Sequence, residues 1–351
     1  MTAPDRYGTS EPSRRLRGTS ASLLAIYAAL LLGNAGAWLW AMAAFGGQPV
    51  LFGMAVLAYV FGLRHAVDAD HIAAIDNVTR KLMQEGQKPV AAGLYFSLGH
   101  STVVVLACVA IAMTSVALRT RFADLQDIGA IIGTVVSATF LLVIALANIL
   151  TLVSVWRTFR AIRASHPTSQ ETAAHGGLLA HLLRPLMTCI GRPWHMYPLG
   201  FLFGLGFDTA TEVGLLGISA GQASRSVSLS AIMVFPALFT AGMSLVDTTD
   251  GVVMVKAYGW ALAKPMRRLF YNLTITFISV VVALIVGALE TLNLIADKFA
   301  LSGPFWHWLG ALGKHFGTLG VLIIATLVAC WVISLLVARL RRLDDLDVTV
   351  T

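Results

Sequence analysis

The chain has 351 residues, of which 57% are hydrophobic and only 12% are charged, and its formal net charge is +7 at pH 7. Soluble domains carry roughly 25% charged residues, so this composition excludes an ordinary soluble protein and indicates one embedded in a lipid bilayer. The cysteines lie far apart and form no CxxC pair, which excludes a disulfide framework and a thiolate metal site; they are Cys108, Cys189 and Cys330.

Apolar segments close to the length that spans a bilayer, about 20 residues, recur along the whole chain. The first follows a basic tail, residues 1–20, which we expect to be cytoplasmic because the apolar run after it is long enough to span and has no cleavage site. In chain order, the predicted spans are residues 21–45, 50–78, 90–118, 128–155, 196–221, 230–254, 270–295 and 317–337. This pattern predicts an all-α polytopic membrane protein with about eight transmembrane helices.

Lys and Arg residues are concentrated on one side of these predicted helices. With the N-terminus inside, about 19 basic residues fall in cytoplasmic segments and about 5 outside, and basic residues are retained on the cytoplasmic side of a bacterial inner membrane. We therefore expect both termini to be cytoplasmic, including a C-terminal tail at residues 339–351. The positive charge reflects this topology and does not indicate nucleic-acid binding.

The only long polar link, residues 156–195, is expected to be a cytoplasmic loop that joins two halves of one transmembrane domain, residues 21–338. Three histidines of this link could bind metal, but we expect them to be solvated loop residues. They are His166, His175 and His181.

Ionisable residues interrupt the apolar spans. The second predicted helix contains His65, Asp68, Asp70 and His71, and the third contains His100. A charged side chain at the bilayer centre costs roughly 2.5 to 3.5 kcal/mol, so such residues usually face a cavity and mark a pathway. Imidazole together with carboxylate suits nickel, cobalt, zinc, iron and manganese, and the lack of thiolates argues against copper(I). We predict that these five residues bind a divalent metal ion.

Further polar residues lie in or beside the spans, and we expect them to supply negative potential, hydrogen bonds to the ligands or another coordination stage. They are Asn34, Asp76, Asp208, Thr209, Thr211, Glu212, Asp247 and Asp250. Alternatives remain open: Asp208 and Glu212 could brace a broken helix, His100 alone could be a packing residue, and Asn34 could tune metal choice or bond neighbouring helices.

The second-helix cluster does not fit one straight helical face. At about 100° per residue, His65, Asp68 and His71 fall on an arc of about 120°, while Asp70 points elsewhere. The rise between the two histidines, about 9 Å, makes joint ligation of one ion awkward. We therefore predict a local distortion of this helix, or a division of its polar residues between ligands and groups that support them.

At these residues the chain resembles the nickel/cobalt transporter family (NiCoT). Two histidines bracket an Ala-Val-Asp-Ala-Asp core at residues 65–71, and elements similar to the family's other signatures stand at residues 98–101, 205–212 and 242–251. The resemblance implies an eight-helix permease for high-affinity uptake of Ni²⁺ or Co²⁺, which is not an enzyme, holds no resident cofactor and needs no ATPase subunit.

The remaining sequence agrees with transport driven by ion gradients or membrane potential. It contains neither a GxxxxGK[ST] phosphate loop nor an Asp-Lys-Thr-Gly phosphorylation site. Two alternatives stay open. One is a metal exporter on a similar scaffold, since direction cannot be read from sequence. The other is an intramembrane metalloenzyme, against which the lack of HExxH and of repeated histidine boxes argues.

Two short stretches recur in the second half of the chain. Residues 61–63 are repeated as residues 203–205, and residues 97–102 resemble residues 244–249. Helices two and three would then correspond to helices five and six, an offset that reverses direction across the membrane as in inverted-repeat transporters. Chance similarity between apolar sequences is the alternative. A true inverted repeat predicts that the two polar clusters meet near the midplane.

Overall fold

The structure is a computed structural model that describes residues 11–113, 119–163, 190–206, 209–225, 227–261, 265–313, 315, 317–327 and 329. Only the backbone is described at residues 11–20, 119–127, 130, 151, 154–163, 210, 260–261 and 265–275. The predicted loop histidines and the predicted site residue Asp208 lie outside the described residues, as does the C-terminal tail.

Within these ranges the secondary structure is helical and no β-strand occurs. The helices are α1 (Glu11–Phe45), α2 (Pro49–His65), α3 (Ala69–Gln84), α4 (Ala92–Met113), α5 (Arg119–Arg163), α6 (Met196–Phe203), α7 (Ala210–Ser224), α8 (Leu229–Ile232), α9 (Val234–Ala261), α10 (Pro265–Lys298), α11 (Pro304–Gly313) and α12 (Gly317–Leu327). A short 3₁₀ turn, Pro193–His195, precedes α6.

Five helical segments among the described residues are long and apolar enough to cross a bilayer; they are Ala21–Phe45, Ala92–Met113, Ile131–Leu150, Leu229–Gly259 and Thr276–Lys298. Two pairs of shorter helices pass the same test together, α2 with α3 across a 49° bend and α11 with α12 across a 66° bend. A multi-pass helical membrane protein is therefore confirmed, with five to seven candidate spans in the described chain. The predicted span at residues 196–221 is divided between α6 and α7.

The outer surface of the bundle is apolar, as a lipid-facing surface must be. Leu24 and Leu32 of α1 are 75% and 73% exposed, and Phe277 of α10 is 56% exposed. The interior, in contrast, holds buried histidines, carboxylates and an arginine. Because water does not reach the bilayer core, polar groups at this depth must find their partners within the protein.

The predicted distortion of the second helix is confirmed, because helical geometry is interrupted between α2 and α3. Asp68 has an extended backbone (φ −68°, ψ 147°) and is the N-cap of α3. Just before it, Val67 N and Asp68 N bond to carbonyls three residues back, at 3.1 and 2.9 Å, which tightens the end of α2.

Glycines allow the central helices to touch through their backbones. A Cβ on Gly62 of α2 would lie 2.1 Å from the carbonyl oxygen of Phe239 in α9, and one on Gly99 of α4 would lie 2.0 Å from that of Tyr197 in α6. Small residues at such crossings let membrane helices associate by close van der Waals packing. Gly62 lies one turn before His65, and Gly99 is next to His100. The two close backbone contacts therefore constrain where both histidines lie along the membrane normal.

Candidate metal site

Three imidazoles meet in the interior: His65 at the end of α2, His71 in the first turn of α3 and His100 in the middle of α4. One ring nitrogen of each lies within 4.8 Å of the others, and all three residues are at most 2% exposed. The bend between α2 and α3 makes this possible. It brings the ring centroids of His65 and His71 to 4.6 Å, whereas a straight helix would separate the residues by about 9 Å of rise.

Donor atoms of His65, His100 and Glu212 converge on one point. The two Nε2 atoms are 3.0 Å apart, and Glu212 Oε1 lies 2.9 Å from His100 Nε2 and 3.7 Å from His65 Nε2. Metal–nitrogen bonds of about 2.0 to 2.1 Å place neighbouring ligand atoms roughly 3.0 to 3.4 Å apart. The spacing therefore suits a metal ion that takes the place of the hydrogen shared between these atoms.

The other ring nitrogen of His65 is held by hydrogen-bond partners. Its Nδ1 lies 3.1 Å from Asp68 Oδ2, with Thr211 Oγ1 at 3.3 Å and Thr209 Oγ1 at 3.4 Å. A carboxylate that accepts from Nδ1–H fixes the tautomer and leaves a lone pair on Nε2. Asp68 thus directs the Nε2 lone pair of His65 towards His100 and Glu212.

A second imidazole–carboxylate pair joins α3 to α9. His71 Nδ1 lies 3.4 Å from each carboxylate oxygen of Asp247, and both residues are fully buried. His71 Nε2 is buried without a hydrogen-bond partner among the described residues. Asp247 therefore orients this ring as Asp68 orients His65, and an uncommitted nitrogen remains available to a metal ion.

Glu212 lies in the first turn of α7, where it is bonded to the N-cap residue, and it also reaches the histidines. Thr209, the N-cap of α7, accepts from Glu212 N at 3.4 Å and donates from Oγ1 to Glu212 Oε2 at 2.9 Å. The Thr209 hydroxyl thus satisfies a backbone N–H of the first turn of α7, and it also holds the Glu212 carboxylate in place. The bracing role considered above thus uses one oxygen of Glu212, while the other oxygen contacts His100.

The remaining predicted site residues are distributed around this centre. Asp70 is half-buried and is not part of the three-histidine group. Asp250 interacts electrostatically with both Asp247 and Asp76. Asn34 donates to Ala241 O at 3.2 Å and accepts from Tyr59 OH at 3.0 Å. These two bonds tie α1 to α9 and α2, the arrangement expected for an interhelical hydrogen-bonding residue.

Three polar residues near Asp76 were not predicted from the sequence; they are Tyr258, Ser279 and Arg80. Tyr258 OH and Ser279 Oγ donate to the carboxylate of Asp76, the latter at 2.7 Å, and Arg80 is buried in α3 at 2% exposure. The predicted second span ends at residue 78, which leaves Arg80 outside the membrane, whereas α3 continues to Gln84 and buries it. No local pattern distinguishes the tyrosine or the serine from packing residues of an apolar helix.

Comparisons with known proteins show the family of the chain. The profile of the family described as high-affinity nickel-transport protein (NicO) matches residues 51–337. The chain belongs to this nickel-transport family. It is 56% identical to a high-affinity nickel transport protein of Cupriavidus necator over 93% of the chain and 95% of that protein.

Other relatives in the family are named as transporters of nickel or of cobalt. A nickel transporter of Staphylococcus aureus is 45% identical over 84% of the chain and 88% of its own length. A cobalt transport protein of Rhodococcus rhodochrous is 38% identical over 95% of both chains. No solved structure matches the chain. Family membership favours a transporter over the intramembrane enzyme considered from the sequence.

Proposed function

We propose that this protein is a secondary transporter that carries Ni²⁺ or Co²⁺ through the bacterial inner membrane into the cytoplasm, as a single-chain permease. The observation that carries the proposal is the buried group of His65, His71 and His100, two of which face Glu212 and Asp247. Membership of a nickel-transport family and the nickel and cobalt names of its relatives support the choice of metals.

The charges of the site suit a divalent cation. Glu212 and Asp247 are both fully buried, and together they offer the two negative charges that a dication needs when it leaves water. A buried charge without such compensation costs many kcal/mol. Neutral imidazoles supply nitrogen ligands without adding charge, and nitrogen with oxygen donors suits nickel and cobalt.

The proposed topology has eight membrane crossings. It counts each of the broken pairs α2–α3, α6–α7 and α11–α12 as one crossing beside α1, α4, α5, α9 and α10. Residues 21–338 then form one transmembrane domain, with the tails 1–20 and 339–351 and the link 156–195 in the cytoplasm. The distribution of Lys and Arg supports this arrangement.

The contacts within the site support an inverted repeat of α2–α4 and α6–α9. His71 and Glu212 each stand three residues after the N-cap of a half-helix, α3 and α7 respectively. His100 and Asp247 occupy the same place in the two similar six-residue stretches of α4 and α9. The contact between His71 and Asp247 therefore corresponds to the contact between Glu212 and His100. Likewise α2 packs against α9 as α6 packs against α4.

An inside-negative membrane potential supplies the driving force. A divalent cation that enters gains about 4.6 kcal/mol per 100 mV, so the potential alone supports substantial accumulation. Purified protein in liposomes that contain a metal-sensitive dye tests this. An imposed inside-negative potential should drive Ni²⁺ entry through the parent and none through His71→Ala. Equal entry through both, or entry through neither, would contradict the proposed function.

A further inference from the structure

Arg80 is a buried cation that has no anionic partner among the described residues. Its side chain lies in α3 with 2% of its surface exposed. Nη2 donates to Asn77 Oδ1 at 2.9 Å, while Nε and Nη1 have no hydrogen-bond partner among the described residues. None of the ion pairs in the described chain includes it. Burial of an unpaired charge is unfavourable, so packing alone does not explain an arginine at this position.

Neighbouring amides hold the guanidinium in place. Asn77 Nδ2 donates to Ala73 O at 2.7 Å, and Asn148 Nδ2 of α5 donates to Asn77 Oδ1 at 2.8 Å. The amide oxygen of Asn77 is thereby fixed on the side where it accepts from Arg80. The position of the arginine is thus set by a contact between α3 and α5.

The guanidinium lies one helical turn beyond Asp76. Residues four apart on a helix are neighbours on one face, close enough for an ion pair. Here, however, both oxygens of the Asp76 carboxylate accept from other groups, Tyr258 OH and Ser279 Oγ. Arg80 remains bonded to Asn77, so the two opposite charges stand near each other without forming an ion pair.

A series of carboxylates leads from the histidines to this point. Asp247 contacts His71, and Asp250 interacts electrostatically with both Asp247 and Asp76. Asp250 Oδ2 is buried and has no hydrogen-bond partner in the described chain. A cation that leaves the histidine site along these acids therefore meets the guanidinium of Arg80 before it reaches the end of α3.

We propose that Arg80 is the cytoplasmic gate charge of the ion pathway, an inference that rests on the proposed function. In the arrangement described, its positive charge opposes passage of a dication beyond Asp76. The ion passes only when the guanidinium moves aside. Once the ion has left, the guanidinium returns to its bond with Asn77, where its positive charge opposes re-entry of metal from the cytoplasm.

The test separates metal binding from metal retention in Arg80→Gln. Proteoliposomes are loaded with ⁶³Ni²⁺, and efflux is followed without a membrane potential, alongside equilibrium Ni²⁺ binding in detergent. We expect efflux to rise about tenfold while the binding constant changes less than about threefold, because repulsion at the gate is lost and the histidine site is intact. Arg80→Lys should restore retention.

Two further variants complete this experiment. Lys81→Gln removes the adjacent positive charge, which is partly exposed and pairs with Glu85, and should behave like the parent. Asn148→Ala leaves the arginine present but removes the bond from α5 that helps to hold the Asn77 amide, and should give a smaller rise in efflux than Arg80→Gln. It provides the test should Arg80→Gln fail to fold.

The proposal is wrong if Ni²⁺ efflux through Arg80→Gln, or through Asn148→Ala in its place, is no faster than efflux through Lys81→Gln. It is also wrong if efflux through Arg80→Lys is as fast as through Arg80→Gln. Failure of the proposed function looks different: the parent itself then shows no Ni²⁺ entry, or His71→Ala transports like the parent. If the parent transports Ni²⁺ and His71→Ala abolishes that transport, unchanged retention in Arg80→Gln would reject the gate and leave the proposed function in place.

Discussion

His65 Nε2 and His100 Nε2 face each other at 3.0 Å, although 35 residues and a helix break separate them in the chain. Two lone pairs at this distance repel, so one nitrogen must carry a hydrogen towards the other, with Glu212 Oε1 beside it. A divalent ion at the same point would instead accept both lone pairs. The apposition of these atoms is therefore better suited to cation binding than to helix packing.

Removal of either imidazole should abolish accumulation of the metal. His100→Ala and His65→Ala each delete a donor atom at the convergence point, and changes that affect only groups supporting metal ligands already cost about 10- to 100-fold. We expect at least that loss in ⁶³Ni²⁺ accumulation, with membrane abundance nearly unchanged. His71→Ala and Asp68→Asn should act likewise, whereas His175→Ala, in the predicted loop, should transport normally. Loss of activity that merely follows loss of protein would show a structural role.

The His71–Asp247 contact should appear as energetic coupling. If Asp247 acts by orienting His71, then Asp247→Asn should add little further loss once His71→Ala is present. Residues in contact give coupling energies of about 0.5 to 3 kcal/mol, whereas distant residues are nearly additive. Ni²⁺ affinity measured over the double-mutant cycle tests this. Asn34→Ala and His71→Ala serve as the control pair, because Asn34 bonds to Ala241, Leu30 and Tyr59 and not to His71. Additive losses at His71 and Asp247 would assign Asp247 an independent role.

Acidification should weaken metal binding. Imidazole binds metal only through a neutral nitrogen, and its ordinary pKa is about 6.5, so protons compete with the ion below that pH. We expect the Ni²⁺ binding constant to weaken progressively as pH falls from 7.5 to about 5.5. Calorimetric titration in two buffers of different ionisation enthalpy would also detect protons released on binding. Constant affinity across this range would argue against histidine ligands.

Most residues of the candidate site could be predicted from the sequence, but the contacts between them could not. His65 and His71 are too far apart on a straight helix to share one ion, so a break between them was predictable. The pairing of His100 with Glu212 was not, because it joins residues 112 positions apart across separate helices. Tyr258 and Ser279 were missed since only tertiary packing brings them near Asp76. Arg80 was missed because the predicted span ended at residue 78, although α3 continues to Gln84. Glycine crossings likewise depend on partners that a single apolar sequence does not reveal.

The crossing of α4 and α6 should be essential for placing His100. A Cβ at Gly99 would lie 2.0 Å from Tyr197 O, a backbone atom that cannot move without shifting α6. We expect Gly99→Ala to lower the melting temperature and to reduce Ni²⁺ transport strongly. Gly53→Ala is the matched control, since nothing lies within 4 Å of its Cβ position and the change favours a helix by roughly 0.5 to 1 kcal/mol. Equal effects of the two substitutions would show that the crossing does not position the site.

The proposed topology predicts which ends of the protein are accessible from outside the cell. Single cysteines at Ser10, Ser224 and Thr349, introduced after replacement of the three native cysteines, place reporters at both termini and at the exposed end of α7. Because about 19 basic residues lie on the proposed cytoplasmic side against about 5 on the other, the termini should resist an impermeant thiol reagent in intact cells, while position 224 should react. After permeabilisation all three should react, which confirms that each reporter is exposed. Labelling of either terminus in intact cells would reverse the topology, and the direction assigned to the Arg80 gate would reverse with it.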